Sequence, residues 1–224
     1  MSTKQSPEQP TTIAEQLVTA LTRVWRTIQA RHPEVPEVVL TIGSGTTNPR
    51  ATKYGHFAAA RWQRDEDSLA ELFVSGEGLR RGSAEVLTTL LHEAAHGLAF
   101  ARGISDTSRE GKYHNKRFKV LAEELGLVIE HDPRIGFSPS TLPPSTAESY
   151  AAELDTLGEA ITAWRHAEVH VPKPKRTDHN NVVAQCECPR RIRVARRVLA
   201  EAPIVCGACD REFVTEDVGD EGQD

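Results

Sequence analysis

His92-Glu93-Ala94-Ala95-His96 lies inside a stretch, Ser83 to Arg102, whose apolar residues Val86, Leu87, Leu90, Leu91, Ala94, Ala95 and Leu98 recur at helical spacing. Glu85, Thr89, His92 and His96 form a separate stripe, so the core-facing side and the chemical side of the predicted helix are distinct. Side chains four residues apart on a helix sit about 5 to 6 Å from one another, close enough for two imidazoles to share one zinc ion at about 2.0 to 2.1 Å. Glu93 is rotated one position from His92, which lets its carboxylate miss the metal and address a water beside it as a general base. Small and apolar neighbours flank both histidines, which therefore need partners that a metal would supply.

Composition sets the frame for this helix. The chain has 224 residues, 38% hydrophobic, with a formal net charge of -5. That is enough for one substantial domain and a small appendage. Residues 1–11 carry two prolines and no apolar run, which predicts a disordered start without a signal peptide, and no segment is long and apolar enough to span a bilayer. A cytoplasmic protein is expected, with no membrane partner. Four cysteines, all between Cys186 and Cys209, fit metal ligation in a reducing compartment better than a disulfide framework.

Around the motif, Thr12-Ile13-Ala14-Glu15 reads as a capping box opening a helix through Leu17, Leu21, Val24 and Ile28 to Ala30. Val38 to Ile42 is β-branched and strand-like, and two further strands are predicted, Tyr54 to Trp62 and Leu72 to Ser75. Asn115 caps a helix through Phe118, Leu121, Ala122 and Leu125 that stops at Gly126. A Pro- and Ser-rich loop from Pro133 to Pro144 follows. Ser145-Thr146-Ala147-Glu148 then reads as a second capping box, opening a helix through Leu154, Leu157, Ile161 and Trp164. The fold class is α+β, a metallopeptidase-like core of N-terminal helix, small sheet, motif helix and third-ligand helix. The expected division is a catalytic domain at 12–131, a loop, helix and basic linker at 132–178, a zinc module at 179–214 and an acidic disordered tail at 215–224.

A catalytic zinc needs a third protein ligand from elsewhere. Ala99 and Arg102 stand where a metzincin needs Gly and His, which removes that class. Glu110, Glu123 and Glu124 are downstream carboxylates, but the last two suit the solvated side of the Phe118 helix and Glu110 lies in a loop. His114 is better placed, at the entrance of a helix that Phe118 would anchor. Of the remaining histidines only His56, in a strand-like segment, is a candidate for substrate contact, and Tyr113, beside His114, is a candidate for an oxyanion helper.

The motif, then Gly111-Lys112-Tyr113-His114-Asn115-Lys116-Arg117-Phe118 and Leu125-Gly126-Leu127, resembles the SprT-like metallopeptidases, which include the Spartan proteases of DNA-protein crosslinks. The resemblance covers roughly Ile13 to Leu127. It implies a zincin-like fold, zinc on His92, His96 and His114, Glu93 as catalytic acid/base, and a protein substrate close to or crosslinked with DNA. The family often carries a C-terminal zinc ribbon.

Cys186-Glu187-Cys188 and Cys206-Gly207-Ala208-Cys209 read as two knuckles joined by a β-hairpin around a structural zinc, since so small a module needs a staple to fold. The first knuckle is C-x-C where zinc ribbons usually have C-x-x-C. From Lys173 to Arg197 eight basic side chains outnumber two acidic ones, and Arg190, Arg191, Arg193, Arg196 and Arg197 are candidate phosphate contacts. No aromatic stacking pair accompanies them, so base readout is not expected. Two other functions remain open: a regulatory peptidase that cleaves a specific repressor-like protein, and a non-enzymatic nucleic-acid-binding protein whose zinc sites are architectural. Glu93 argues against the second, because a structural site has no use for that carboxylate.

Overall fold

The computed structural model describes residues 11–48, 51–168 and 181–215. The chain divides into two compact units, Met1–His170 and Val171–Asp224. The N-terminal segment 1–10, the linker at 171–176 and the acidic tail from residue 216 lie outside the described residues. No described helix is long and apolar enough to cross a membrane.

The first unit mixes helices with small sheets. Helix α1 (Ile13–Arg31) starts at the capping box, with Thr12 accepting from the Glu15 amide and the Glu15 carboxylate accepting from the Thr12 amide. It buries Leu17, Leu21, Val24, Trp25 and Ile28. Strand β1 (Val38–Gly43) is followed by a short β2–β3 pair (Thr46–Asn48, Ala51–Thr52), then β4 (Gly55–Arg64) and β5 (Asp67–Ser75). β5 lies in the centre of a three-stranded sheet, parallel to β1 and antiparallel to β4, so β4 is an edge strand. β5 begins five residues earlier than the apolar pattern suggested. Its polar start, Asp67 and Ser68, is held by pairing with Arg64 and Gln63 across a tight turn, a cross-strand cause invisible to local hydrophobicity.

A 3-10 turn (Gly78–Arg81) leads into α2 (Ser83–Ala101), which is buried around most of its circumference because α1, β4 and further helices all pack on it. After β6 (Thr107–Ser108) and β7 (Tyr113–His114), Asn115 caps α3 (Lys116–Glu124) by accepting from the amides of Arg117 and Phe118. Strands β8 (Val128–Ile129) and β9 (Ser140–Thr141) pair with each other. Helices α4 (Pro144–Ser149) and α5 (Ala151–Ala160) close the unit, with α5 resting on α1 and α2 and placing Leu157 in the core.

Two expectations need correction here. The Ser145 capping box does not form. Pro143 is the N-cap and Pro144 the first helical residue, so Ser145 already lies inside the helix and cannot cap it; the Thr146 hydroxyl donates to the Gly126 carbonyl at 2.7 Å. The helix breaks at Tyr150 and ends at Ala160, so Trp164 lies beyond it. The division expected after residue 131 is also displaced, because the first unit continues to His170 and Tyr150 and Leu157 belong to its core.

The second unit is a three-stranded antiparallel sheet with β10 (Asn181–Gln185) between β11 (Arg191–Ala195) and β12 (Val214–Thr215), plus a short helix α6 (Arg196–Glu201). The hairpin is placed differently from expectation. Cys186 and Cys188 lie in the turn joining β10 to β11, and the two knuckles are separated by β11 and α6 rather than by a hairpin. The Arg191/Ile192/Arg193/Val194 alternation pairs with β10, which precedes the cysteines.

Candidate metal centres and cleft

Helix α2 places His92 and His96 one turn apart, and β7, just before α3, brings His114 to them. Ring centroids lie 5.2 Å (His92 to His96), 5.1 Å (His92 to His114) and 5.0 Å (His96 to His114) apart, a nearly equilateral triangle. Phe118, fully buried, sits 4.6 to 4.7 Å from all three rings and forms the floor beneath them.

Every Nδ1 is engaged outside this triangle. His92 Nδ1 meets Ser140 Oγ at 2.9 Å, His96 Nδ1 meets Asp106 Oδ2 at 2.5 Å, and His114 Nδ1 lies 3.4 Å from the Ile135 carbonyl. A carboxylate and a carbonyl only accept, so the proton sits on Nδ1 of His96 and His114; the Ser140 hydroxyl donates to the Ser138 carbonyl, so it accepts from His92 as well. Three Nε2 lone pairs are thereby aimed at one point. His96 Nε2 and His114 Nε2 stand 3.2 Å apart with no proton between them in this tautomer. Two nitrogens at about 2.0 to 2.1 Å on a tetrahedral ion are separated by roughly this distance. The group, with one ligand atom per residue and all within 4.8 Å of each other, can hold a metal ion, and the outer hydrogen bonds are those that orient metal-bound imidazoles.

Electrostatics favour the neutral form of two of the three imidazoles. Burial, reinforced by the neighbouring imidazoles, holds His92 well below the ordinary histidine range, and burial followed by the His96 charge brings His114 down to about 4. Burial acts on His96 in the same direction, but the Asp106 hydrogen bond and the nearby Glu93 and Asp106 charges outweigh it and raise His96.

Glu93 points from α2 into the same cleft and is only 5% exposed. Burial raises its carboxyl above the usual glutamate range against the pull of His96 and the Phe57 amide. Room for it is made by Gly55 at the start of β4, where a Cβ would stand 2.7 Å from Thr89 Cγ2 and 3.0 Å from Glu93 Oε1. The cleft, about 760 Å³, runs along α2 and the edge strand β4, from Tyr54 and Arg81 at one end to Phe100 and Ile104 at the other.

The other sequence candidates fall outside the triangle. Glu124 is bound by Arg102, Glu123 by Lys119 and Glu110 by Lys112. Tyr113 turns its hydroxyl to His131 at 3.0 Å and stacks under Arg109. His56 does border the cleft, but its ring stacks on Phe73 and its Nε2 is taken by Glu71 at 2.9 Å. Asp106, Ser140 and Gly55 carried no sequence signal of their own. Asp106 follows His96 by ten residues across a loop, and Ser140 is 48 residues from His92.

In the second unit Cys186, Cys188, Cys206 and Cys209 also bring their sulfurs within 4.8 Å of one another, with Cys186 to Cys188 at 3.1 Å and Cys188 to Cys206 at 3.7 Å. All four are free thiols. The Ala208 amide lowers Cys206 to about 6, while the Cys186 and Cys209 thiols push Cys188 up to about 12, as expected when several sulfurs crowd one point. All four cysteines, including the C-x-C pair, therefore face a common centre able to hold a second metal ion. Arg190, Arg191, Arg193, Arg196 and Arg197 are all exposed, and none makes an ion pair among the described residues. Arg191 and Arg193 share one face of β11, with Arg196 and Arg197 on α6. Comparison of the chain with protein-family models, curated proteins and solved structures finds no match.

Proposed function

We propose that this chain is a zinc-dependent endopeptidase of SprT-like type, with a zincin-like catalytic unit and a C-terminal zinc ribbon. The observation that carries the reading is the convergence of three imidazole Nε2 atoms beside a buried carboxylate in one cleft. His92, His96 and His114 would hold the catalytic zinc and the four cysteines a structural one. A zinc ion so held supplies a Lewis acid that makes water a nucleophile near neutral pH.

The chain's own residues do the rest. Glu93 accepts a proton from the attacking water and returns it to the leaving amine, and a carboxyl raised by burial is better matched to that exchange than an ordinary glutamate. Ser140, Asp106 and the Ile135 carbonyl keep the imidazoles in the tautomer that presents Nε2. Edge strand β4 offers backbone groups to an extended substrate laid along the cleft. The exposed arginines of the second unit support DNA-associated protein as the substrate, through phosphate contacts, and the reduced cysteines suit the cytoplasm. A purely architectural role gives no account of a buried Glu93 facing the cleft.

The test is Glu93→Gln. This variant should fold, retain two zinc ions per chain and lose cleavage of an unfolded protein substrate. Turnover equal to wild type would overturn the mechanism.

A further inference from the structure

Residues 132–141 were read from sequence as part of a connecting loop outside the catalytic domain. In the structure this segment touches two of the three histidines. The Ser140 hydroxyl receives His92 Nδ1, and the Ile135 carbonyl receives both the His114 amide at 3.0 Å and His114 Nδ1 at 3.4 Å. The Phe137 amide donates to the His114 carbonyl at 3.0 Å, so His114 is held on both sides by one strand-like contact.

That contact depends on a tight turn. Asp132 and Gly136 exchange backbone hydrogen bonds at 2.8 Å, and Asp132 Oδ1 accepts from the amides of Arg134 at 2.7 Å and Ile135 at 3.1 Å. Gly136 has φ +75, and a Cβ there would fall 2.0 Å from the His114 carbonyl oxygen, a backbone atom that cannot step aside alone. His114 itself sits on a two-residue strand in a long excursion between α2 and α3, with its ring packed on Phe118.

We infer that the Asp132–Gly136 turn is a clamp for the third ligand, with Asp132 and Gly136 as positioning residues that set the backbone and ring of His114 relative to the α2 histidines. The consequence for metal rests on the reading of the triangle as a zinc site; the clamp on the His114 ring does not. By the usual effect of outer-sphere support, opening the turn should weaken zinc at the imidazole site about tenfold to a hundredfold.

The experiment uses the full chain. Zinc affinity at the imidazole site is measured by chelator competition, with the cysteine-held ion as internal reference, and ring 15N shifts report the tautomer of His114. Wild type should show the Nδ1-protonated form. Asp132→Ala and Gly136→Ala should each weaken zinc and mix the His114 tautomers, with the cysteine site unchanged. Asp132→Asn keeps an acceptor for the Arg134 and Ile135 amides and should recover wild-type behaviour. Tryptophan fluorescence and amide spectra identify any variant that fails to fold, and Asp132→Ala, which adds no clash, is then decisive. Unchanged affinity and unchanged His114 ring shifts in the folded variants would overturn the clamp. If the wild-type triangle takes no zinc while its ring shifts still respond to Asp132→Ala, the metal reading fails and the clamp stands.

Discussion

Phe118 joins the stability of the first unit to the geometry of its proposed zinc site, and truncating it should damage both in separable ways. The side chain is fully buried and lies 4.6 to 4.7 Å from three imidazole rings. Phe→Ala in a packed core costs about 3 to 5 kcal/mol, from lost transfer energy and the cavity left behind. For a urea dependence of about 2 kcal/mol per molar, that is a fall in midpoint of roughly 1.5 to 2.5 M. All three tryptophans, Trp25, Trp62 and Trp164, lie in the first unit, so their fluorescence reports its unfolding. The measurement belongs in chelator, because a metal bound only by the folded state adds stability of its own and hides part of the loss. Adding zinc back should then recover less stability in Phe118→Ala than in wild type, since the rings have lost their common floor. Phe118→Leu, which keeps most of the volume, should fall between the two. A midpoint shift below about 0.5 M for Phe118→Ala would mean that the residue does not carry the core as the structure has it.

Three further outcomes are expected. His114→Ala should lose the imidazole-held zinc and keep the cysteine-held one, and unchanged zinc content would return Glu110 or Glu123 to consideration as ligands. Glu77 is nearly buried, and the Gly45 amide with the Ser44 and Thr46 hydroxyls outweighs the opposing effect of burial to hold its carboxyl below the ordinary 4.5. Its contribution is therefore complete above pH 4.5 and lost as pH falls through the lower folded value, so Glu77→Gln should cost about 1.5 to 3 kcal/mol near neutrality and progressively less in acid. A penalty independent of pH between 7 and 3 would refute that sign. Changing Arg190, Arg191, Arg193, Arg196 and Arg197 together to Gln should weaken DNA binding alike for all sequences and flatten its salt dependence, leaving cleavage of free protein intact; no salt-sensitive DNA affinity in wild type would favour a regulatory peptidase instead.

The residues that speak for themselves in sequence are those whose neighbours are local. The α1 capping box spans four positions, His92, Glu93 and His96 share one turn of helix, Asn115 caps its own helix, and each cysteine knuckle closes within four residues. Periodicity and spacing determine such features because the chain geometry between the partners is set by the helix or turn itself. The Ser145 capping box misled because two prolines precede it: Pro143 takes the N-cap position and Pro144 the first helical position, which leaves Ser145 inside the helix.

What only the tertiary structure decided is the set of partners that no local rule brings together. Sequence could propose His114 as the third histidine, but its ring is turned inward by the Ile135 carbonyl, and the space beside Glu93 is left by Gly55 on another strand. Asp106 and Ser140 are ordinary loop residues until folding sets them behind His96 and His92. Hydrogen bonds between distant loops leave no period in the sequence, because their geometry is fixed by the packing of α2, α3 and β4 around one core and not by the residues between them.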